Sequence, residues 1–191
     1  MGAPWCNNNK GYIKVYRTDD DGGNRVPLGR TIYENATKDW FGQSVHITAD
    51  GMTIICGSPG LCTFDRPGYV RVFSLVGGAD DLGTATWNQI GQDIIGEANG
   101  DRFGASVSIS HDGKTIAVGA PFAKLDSGHV GIYGLEEDEG NTRWEQIGQD
   151  IDGKAAGDGS AGSGQVSLLA DGMTVAISSS FNSENGDFPV K

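Results

Sequence analysis

The sequence is short of several features that common protein classes need. No apolar run approaches the ~20 residues of a membrane-spanning helix, and no basic start with an apolar stretch marks a signal peptide. Only 3 of the 191 residues are cysteine, with no zinc-ligand spacing. Basic residues number 14 against 25 acidic ones, and the formal net charge is −11. These shortages predict no membrane insertion, no nucleic-acid partner and an acidic surface.

Glycine, by contrast, is abundant, with 31 residues, about twice the usual share of near 7%. Most of these glycines hold fixed positions in an internal repeat. The segment Phe41–Pro59 returns without a gap as Phe103–Pro121, and a more divergent copy runs from Gly164 to Ile177. A repeat of about sixty residues indicates one supersecondary module that stacks on copies of itself.

Each full repeat contains four short segments with strand character: 103–110, 115–119, 128–133 and 144–148. In the first segment Val107 and Ile109 alternate with serines, which is the period of a β-strand. Asp112-Gly113 between the first two segments predicts a two-residue type I′ hairpin turn. Four strands per repeat predict an all-β fold. Because the coils of a solenoid are usually shorter than this repeat, the four strands favour the four-stranded antiparallel blades of a β-propeller.

The repeat landmarks divide the chain into a partial repeat (1–27), two repeats (28–86 and 87–143) and a degenerate repeat (144–191). About three repeats are fewer than the four to eight blades that close a propeller. We therefore expect a partial, open propeller. Either the remaining blades of a longer parent chain or self-association of this chain would complete it.

Two landmark pairs carry a resemblance to a known family. Phe41-Gly42 with Gly57-Ser58-Pro59, and Phe103-Gly104 with Gly119-Ala120-Pro121, resemble the FG-GAP repeat, the blade unit of the integrin α-subunit head. The similarity is greater to a divergent branch found in surface or secreted microbial proteins. It implies a non-catalytic binding or adhesion module, extracellular or at the cell surface, that recognises protein or glycan through its blade-connecting loops.

The resemblance does not extend to the calcium loop of integrin-type blades. Where that loop would lie, this chain has bare turns at Asp50-Gly51, Asp112-Gly113 and Asp171-Gly172. One carboxylate cannot supply the six to eight oxygens that calcium takes, so no cofactor is predicted there. Asp19, Asp21 and Asn24 of an acidic loop could share a cation, but a solvated hairpin tip is the alternative interpretation.

The loops that precede the Phe-Gly pairs contain the candidate ligand-binding residues, because propellers commonly bind ligands around their axis. The candidates are Asn35, Asp39, Trp40, Asn99 and Asp101. Formation of turns is an alternative role for the Asn and Asp residues. Trp87 and Trp144 recur at matching positions, which favours packing over ligand stacking.

No catalytic constellation is visible in the sequence. Ser110, His111 and Asp112 are adjacent, and adjacent residues cannot adopt a nucleophile–base–orienter geometry. The propeller domain of a glycan- or lipid-acting hydrolase, and a purely structural spacer, remain the alternatives to a binding module. Cys6 and Cys62 follow equivalent Gly-x-Pro segments and predict either a disulfide or two free thiols.

Overall fold

A computed structural model describes residues 11–18, 22–34, 40–60, 66–77, 84–123, 127–153 and 165–178. Within these residues the protein is built of antiparallel β-sheets, which confirms the predicted fold class. The strands are β1 (Tyr12–Ile13), β2 (Tyr16–Thr18), β3 (Arg25–Pro27), β4 (Ile32–Tyr33), β5 (Ser44–Ile47), β6 (Thr53–Ser58), β7 (Tyr69–Val76), β8 (Thr86–Ile95), β9 (Ser106–Ile109), β10 (Thr115–Ala120), β11 (His129–Asp138), β12 (Asn141–Gln146), β13 (Ile151–Asp152), β14 (Val166–Leu168) and β15 (Val175–Ile177).

Two complete blades form the middle of the molecule. Blade A has the strand order β5-β6-β7-β8, and blade B has the order β9-β10-β11-β12, with β13 also pairing with β11. All of these pairs are antiparallel, and all except β11–β13 join strands that are consecutive in sequence. The four strands that the sequence predicts for each repeat are therefore confirmed in both blades.

A unit with fewer described strands lies on each side of the two blades. The first unit (11–34) contains the pairs β1–β4 and β2–β3, and the last unit (165–178) contains the pair β14–β15. In their order and pairing, β1 to β4 correspond to the outer strands β11 to β13 of blade B, whereas β14 and β15 correspond to the inner strands β9 and β10. The predicted repeat boundaries stay a prediction.

Apolar side chains are buried at the three junctions between consecutive units. Ile55, Val70 and Val72 of blade A pack with Val107 and other residues of blade B. A second cluster joins the first unit to blade A, and a third joins blade B to the last unit. Each fully buried side chain of this size stabilises the fold by about 1.5–3 kcal/mol. Each blade is thus held mainly by its neighbours, as expected of stacked modules.

The predicted turn type at Asp112-Gly113 is wrong. Gly113 has a φ of 72°, but Asp112 is not in the left-handed region, whereas a type I′ turn needs both residues there. Gly113 N donates to Ser110 O (3.1 Å), and Ser110 N donates to Thr115 O (2.9 Å), which closes a four-residue loop. A type I′ geometry occurs instead at the tip of β11–β12, where Glu139 and Gly140 have φ values of 46° and 86°.

The cysteines lie in two different situations. Cys6 and Cys62, and with them the predicted disulfide, lie outside the described residues. Cys56 is a buried free thiol in β6, and burial raises the pKa of its sulfhydryl group. Burial and a raised pKa make this thiol unreactive, so its role is packing.

Candidate functional site

The Phe-Gly landmark forms a tight turn directly before β5 in blade A and directly before β9 in blade B. Trp40 and Arg102, which precede the phenylalanines, have φ values of 58° and 57°, and Gly42 and Gly104 have values of 81° and 87°. Gly104 N donates to Gly119 O (3.0 Å), as Gly42 N does to Gly57 O (3.1 Å). This bond ties the Phe-Gly turn to the Gly-x-Pro strand of its own blade.

The same turn is seated on glycines of the preceding blade. A Cβ atom added to Gly57 would lie inside 3.0 Å of Gly104 O, and one on Gly68 would lie inside that distance of Phe103 O. Gly11 of the first unit meets Phe41 O in the same way. The landmark glycines are therefore required because two backbones approach each other too closely for any side chain.

Side chains on the inner strands accept hydrogen bonds from the next blade. Ile109 N donates to His46 Nδ1 (2.9 Å), and at the equivalent place Leu168 N donates to Ser108 Oγ (2.9 Å). Ser44 Oγ donates to Gly104 O (2.8 Å). Ser106 occupies the place of Ser44 on blade B, is 6% exposed, and its Oγ has no hydrogen-bond partner.

The starts of β5, β9 and β14, the first inner strand of each unit, line a groove of about 440 Å³. Its lining consists of residues 43–46 of blade A, 105–108 of blade B and 165–167 of the last unit. These three segments are equivalent in the repeat, so the groove follows the inner strands across consecutive units. We take this inner-strand groove as the candidate site because it has the size of a small-ligand pocket.

The lining of the inner-strand groove is polar, and the described residues that form it include no carboxylate, lysine or arginine side chain. Hydroxyl and amide groups come from serine and glutamine, and Gln43, Gln165 and Ser167 are exposed. Partial burial lowers the pKa of His46. Because Nδ1 of this neutral ring accepts the Ile109 N–H, its proton lies on Nε2, which is available as a donor.

The predicted loop residues lie apart from this lining where they are described. Trp40 is half-buried and Asn99 is exposed, while Asn35 and Asp39 lie outside the described residues. Asp101 is buried, and its carboxylate accepts a hydrogen bond from Ala98 N (3.1 Å), which is the behaviour of a turn residue. Their role in ligand binding stays a prediction.

The aspartates of the Asp-Gly turns organise their own loops. Asp50 accepts hydrogen bonds from Thr48 Oγ1 (2.6 Å) and Met52 N (2.9 Å), and Asp112 does the same with Ser110 Oγ (2.6 Å) and Lys114 N (3.0 Å). These bonds, the hydroxyl bond first, lower the pKa of both carboxyl groups. The Ser/Thr-x-Asp-Gly sequence is thus a turn motif.

The predicted cation loop is described only at Asn24, which is exposed, because Asp19 and Asp21 lie outside the described residues. Over the part of the chain that the structure describes, no three His, Cys, Asp or Glu side chains gather closely enough to hold a metal ion. A cation at this loop stays a prediction.

A charged cluster on the outer side of blade A was not predicted from the sequence. Arg71 makes two bonds of 2.8 Å to Asp93 and also pairs with Glu34 of the first unit. Tyr69 Oη donates to Glu34 (2.6 Å), and the Arg71 guanidinium lies 4.6 Å from the Tyr69 ring. One feature of the sequence could have indicated this cluster: Arg71 departs from the repeat, because blade B has Gly131 at the equivalent position.

The predicted packing role of the repeated tryptophans is confirmed. Trp87 and Trp144 are buried, and each ring nitrogen donates to a carbonyl oxygen of the preceding unit, Leu28 O and Ile90 O, both at 3.0 Å. Gln92 of blade A also exchanges two bonds with the backbone of Trp144. The outer strands are therefore joined between units as the inner strands are.

Comparison with known proteins agrees with this repeat architecture. Residues 96–133 match the family model of the FG-GAP repeat, a segment that covers the Phe-Gly turn, the Asp-Gly turn, Gly-Ala-Pro and the start of β11. No curated protein matches the chain. Among the described residues, no helix has the length and apolarity to cross a membrane. Residues 96–133 are therefore identified as an FG-GAP repeat.

Proposed function

We propose that this chain is a non-catalytic binding module of a surface or secreted repeat protein, and that the inner-strand groove takes a neutral glycan. The observation that carries the proposal is the groove itself, lined at equivalent positions of three units. Its size of about 440 Å³ suits a few sugar rings, since ligand pockets commonly measure about 300–1,000 Å³.

The chemistry of the lining favours a ligand rich in hydroxyl groups. Gln43 and Gln165 each offer an amide donor and acceptor, Ser167 offers a hydroxyl group, and neutral His46 offers Nε2–H. A charged ligand would enter the groove without a compensating charge, which is costly. A protein that contacts the exposed loop around Asn99 is the second candidate, carried only by that exposure.

The hydrogen bonding of the groove favours binding over hydrolysis. Ser108 Oγ and His46 Nδ1 lie 3.3 Å apart, which is close to the spacing of a nucleophile and its base. Both atoms, however, accept backbone N–H groups of the next unit, from Leu168 and Ile109. Among the residues that the structure describes, the lining supplies no carboxylate to orient the imidazole, so these residues act as inter-blade contacts in this proposal.

The proposal is tested by screening the chain against arrays of glycans and of extracellular proteins. We expect binding to neutral glycans that Gln43→Ala with Gln165→Ala weakens by about 10-fold, since each lost hydrogen bond is worth about 0.5–1.5 kcal/mol. Lys114→Ala, in an exposed turn outside the groove, is the matched control. Failure to bind any probe would favour a spacer, and turnover of a bound glycan would favour a hydrolase.

A further inference from the structure

Equivalent side chains of the two complete blades differ sharply in exposure. Val107 and Ile109 of blade B are 8% and 3% exposed, whereas Val45 and Ile47 of blade A are 40% and 41% exposed. All four lie on inner strands in the same register with the neighbouring strand. Blade A covers the side chains of blade B, so the difference means that no described residue provides the equivalent cover on blade A.

The uncovered side chains form one wall of an apolar cleft of about 310 Å³. Ile13, Val15 and Tyr16 of the first unit form the other wall, and Ile54 of β6 also lines the cleft. An apolar cleft between two β units marks an interaction site, since exposed clusters of aliphatic side chains are uncommon on monomers.

The two complete junctions show what a unit places in such a cleft. At the junction of blades A and B, inner strands β5 and β6 pack against β9, and at the next junction β9 and β10 pack against β14. In each blade the second inner strand also pairs with the long third strand, to which β1 and β2 correspond. The cleft therefore lies where an inner-strand hairpin of the first unit would pack against blade A.

The chain carries such a hairpin in β14–β15. Within the described residues β14 and β15 pair only with each other, and Val166 and Leu168 pack on blade B. The opposite face presents Ser167 and Ala176, which are exposed. Ser167 holds the place of His46 and Ser108, which accept the N–H groups of Ile109 and Leu168.

Charge does not oppose contact between these two ends of the chain. In the full sequence, residues 11–34 carry four basic and four acidic residues, which is a net charge of zero. Residues 147–153 and 165–178 carry three acidic residues and no basic one. The two ends therefore do not repel each other, although the chain as a whole has a net charge of −11.

We propose that the cleft receives the β14–β15 hairpin of a second copy of this chain, so that copies join head to tail and complete a blade between them. Ser167 Oγ of one copy accepts the Ile47 N–H of the other, and β15 pairs with β1. Two copies joined at both ends close a ring, as a heterologous interface does when its rotation permits.

The mass of the chain in solution tests this proposal by light scattering over a wide concentration range. We expect about twice the 20.0 kDa of one chain. Val45→Asp with Ile47→Asp should reduce the mass to one chain without loss of β-structure by circular dichroism. Val76→Asp is the matched control, because Val76 is a strand valine of 48% exposure outside the cleft.

A mixing experiment tests the head-to-tail geometry. Ala176→Arg on the hairpin should also yield a single chain, but mixed with the cleft variant it should restore a dimer, because one intact cleft then meets one intact hairpin. A single-chain mass of the unchanged protein at every concentration would overturn the proposal and leave the cleft to further repeats. Unchanged mass of the cleft variant, or no recovery on mixing, would overturn it too.

Discussion

Blades A and B share their strands and their landmark turns, but they fill the outer part of the sheet differently. Blade A has Arg71 paired with Asp93 and Glu34, while blade B has Gly131 at the equivalent place. A Cβ atom on Gly131 would lie 2.8 Å from the Tyr133 ring, which occupies that space. The same space is thus filled by a charged side chain in blade A and by an aromatic ring in blade B.

The comparison separates two kinds of repeat position. Where backbones meet, as at Gly57 and Gly104, both blades need the same residue because no side chain fits. Where side chains meet, as at Arg71 and Gly131, different residues satisfy the same space, provided that polar groups are paired. The family landmarks are positions of the first kind.

The largest effect is expected from breaking a backbone contact. Gly57→Ala places a Cβ inside 3.0 Å of the Gly104 carbonyl oxygen, and neither backbone can give way without separating the blades. We expect a loss of about 3 kcal/mol or more in the free energy of unfolding, measured by chemical denaturation. Gly131→Ala, which meets only the Tyr133 side chain, should cost much less, and equal losses would contradict the distinction.

Removing the cation of blade A tests the second kind of position. Arg71→Met removes the cation that pairs with Asp93 and with Glu34, which is 7% exposed. Loss of one partner of a buried pair costs about 3–5 kcal/mol, and the partial exposure of Arg71 reduces our expectation to about 2 kcal/mol. Arg143→Met breaks the exposed pair with Glu145 and should cost under about 0.5 kcal/mol by the same assay.

Trp87 and Trp144 hold equivalent places at the two junctions, so equivalent substitutions should reduce stability equally. Trp87→Phe and Trp144→Phe each remove a ring N–H donor bonded at 3.0 Å to the preceding unit. We expect each variant to lose about 1–2 kcal/mol, and the two losses to agree within error. A loss at only one junction would show that the two junctions are not equivalent.

The smallest effect concerns acid. Hydrogen bonds within the turns lower the pKa of Asp50 and Asp112, and the Arg71 pairing lowers the pKa of Asp93. A lowered pKa contributes stability above the unfolded value near 3.8, which is lost as pH falls through the folded value. Below that pH, the free energy of unfolding should fall less steeply with pH in the double variant Asp50→Asn with Asp112→Asn than in the unchanged protein. An unchanged pH dependence would exclude these turns as the source of the acid sensitivity.

Much of this fold could be predicted because it depends on local patterns. Alternation at Val107 and Ile109 and the recurring glycines indicate strands and turns within one repeat. The predicted type I′ turn at Asp112-Gly113 is wrong because the Asp112 side chain bonds to Ser110 and Lys114. These bonds favour a longer loop than the Asp-Gly dipeptide alone suggests.

The inner-strand groove and the charged cluster could not be predicted, because each depends on contacts between separate units. Arg71, Asp93 and Glu34 belong to three different segments, and nothing local relates them. His46 and Ser108 share a role as acceptors although they share no chemistry that a pattern would detect.

The stacking of consecutive units depends on inner strands that accept hydrogen bonds from, or donate them to, the side chains of the unit before them. Amide hydrogen exchange by NMR measures this directly at Ile109 and Leu168, whose N–H groups point away from their own sheets toward His46 and Ser108. We predict protection at both amides like that of the neighbouring sheet amides. Exchange at the rate of exposed loop amides would contradict the stacking of consecutive units.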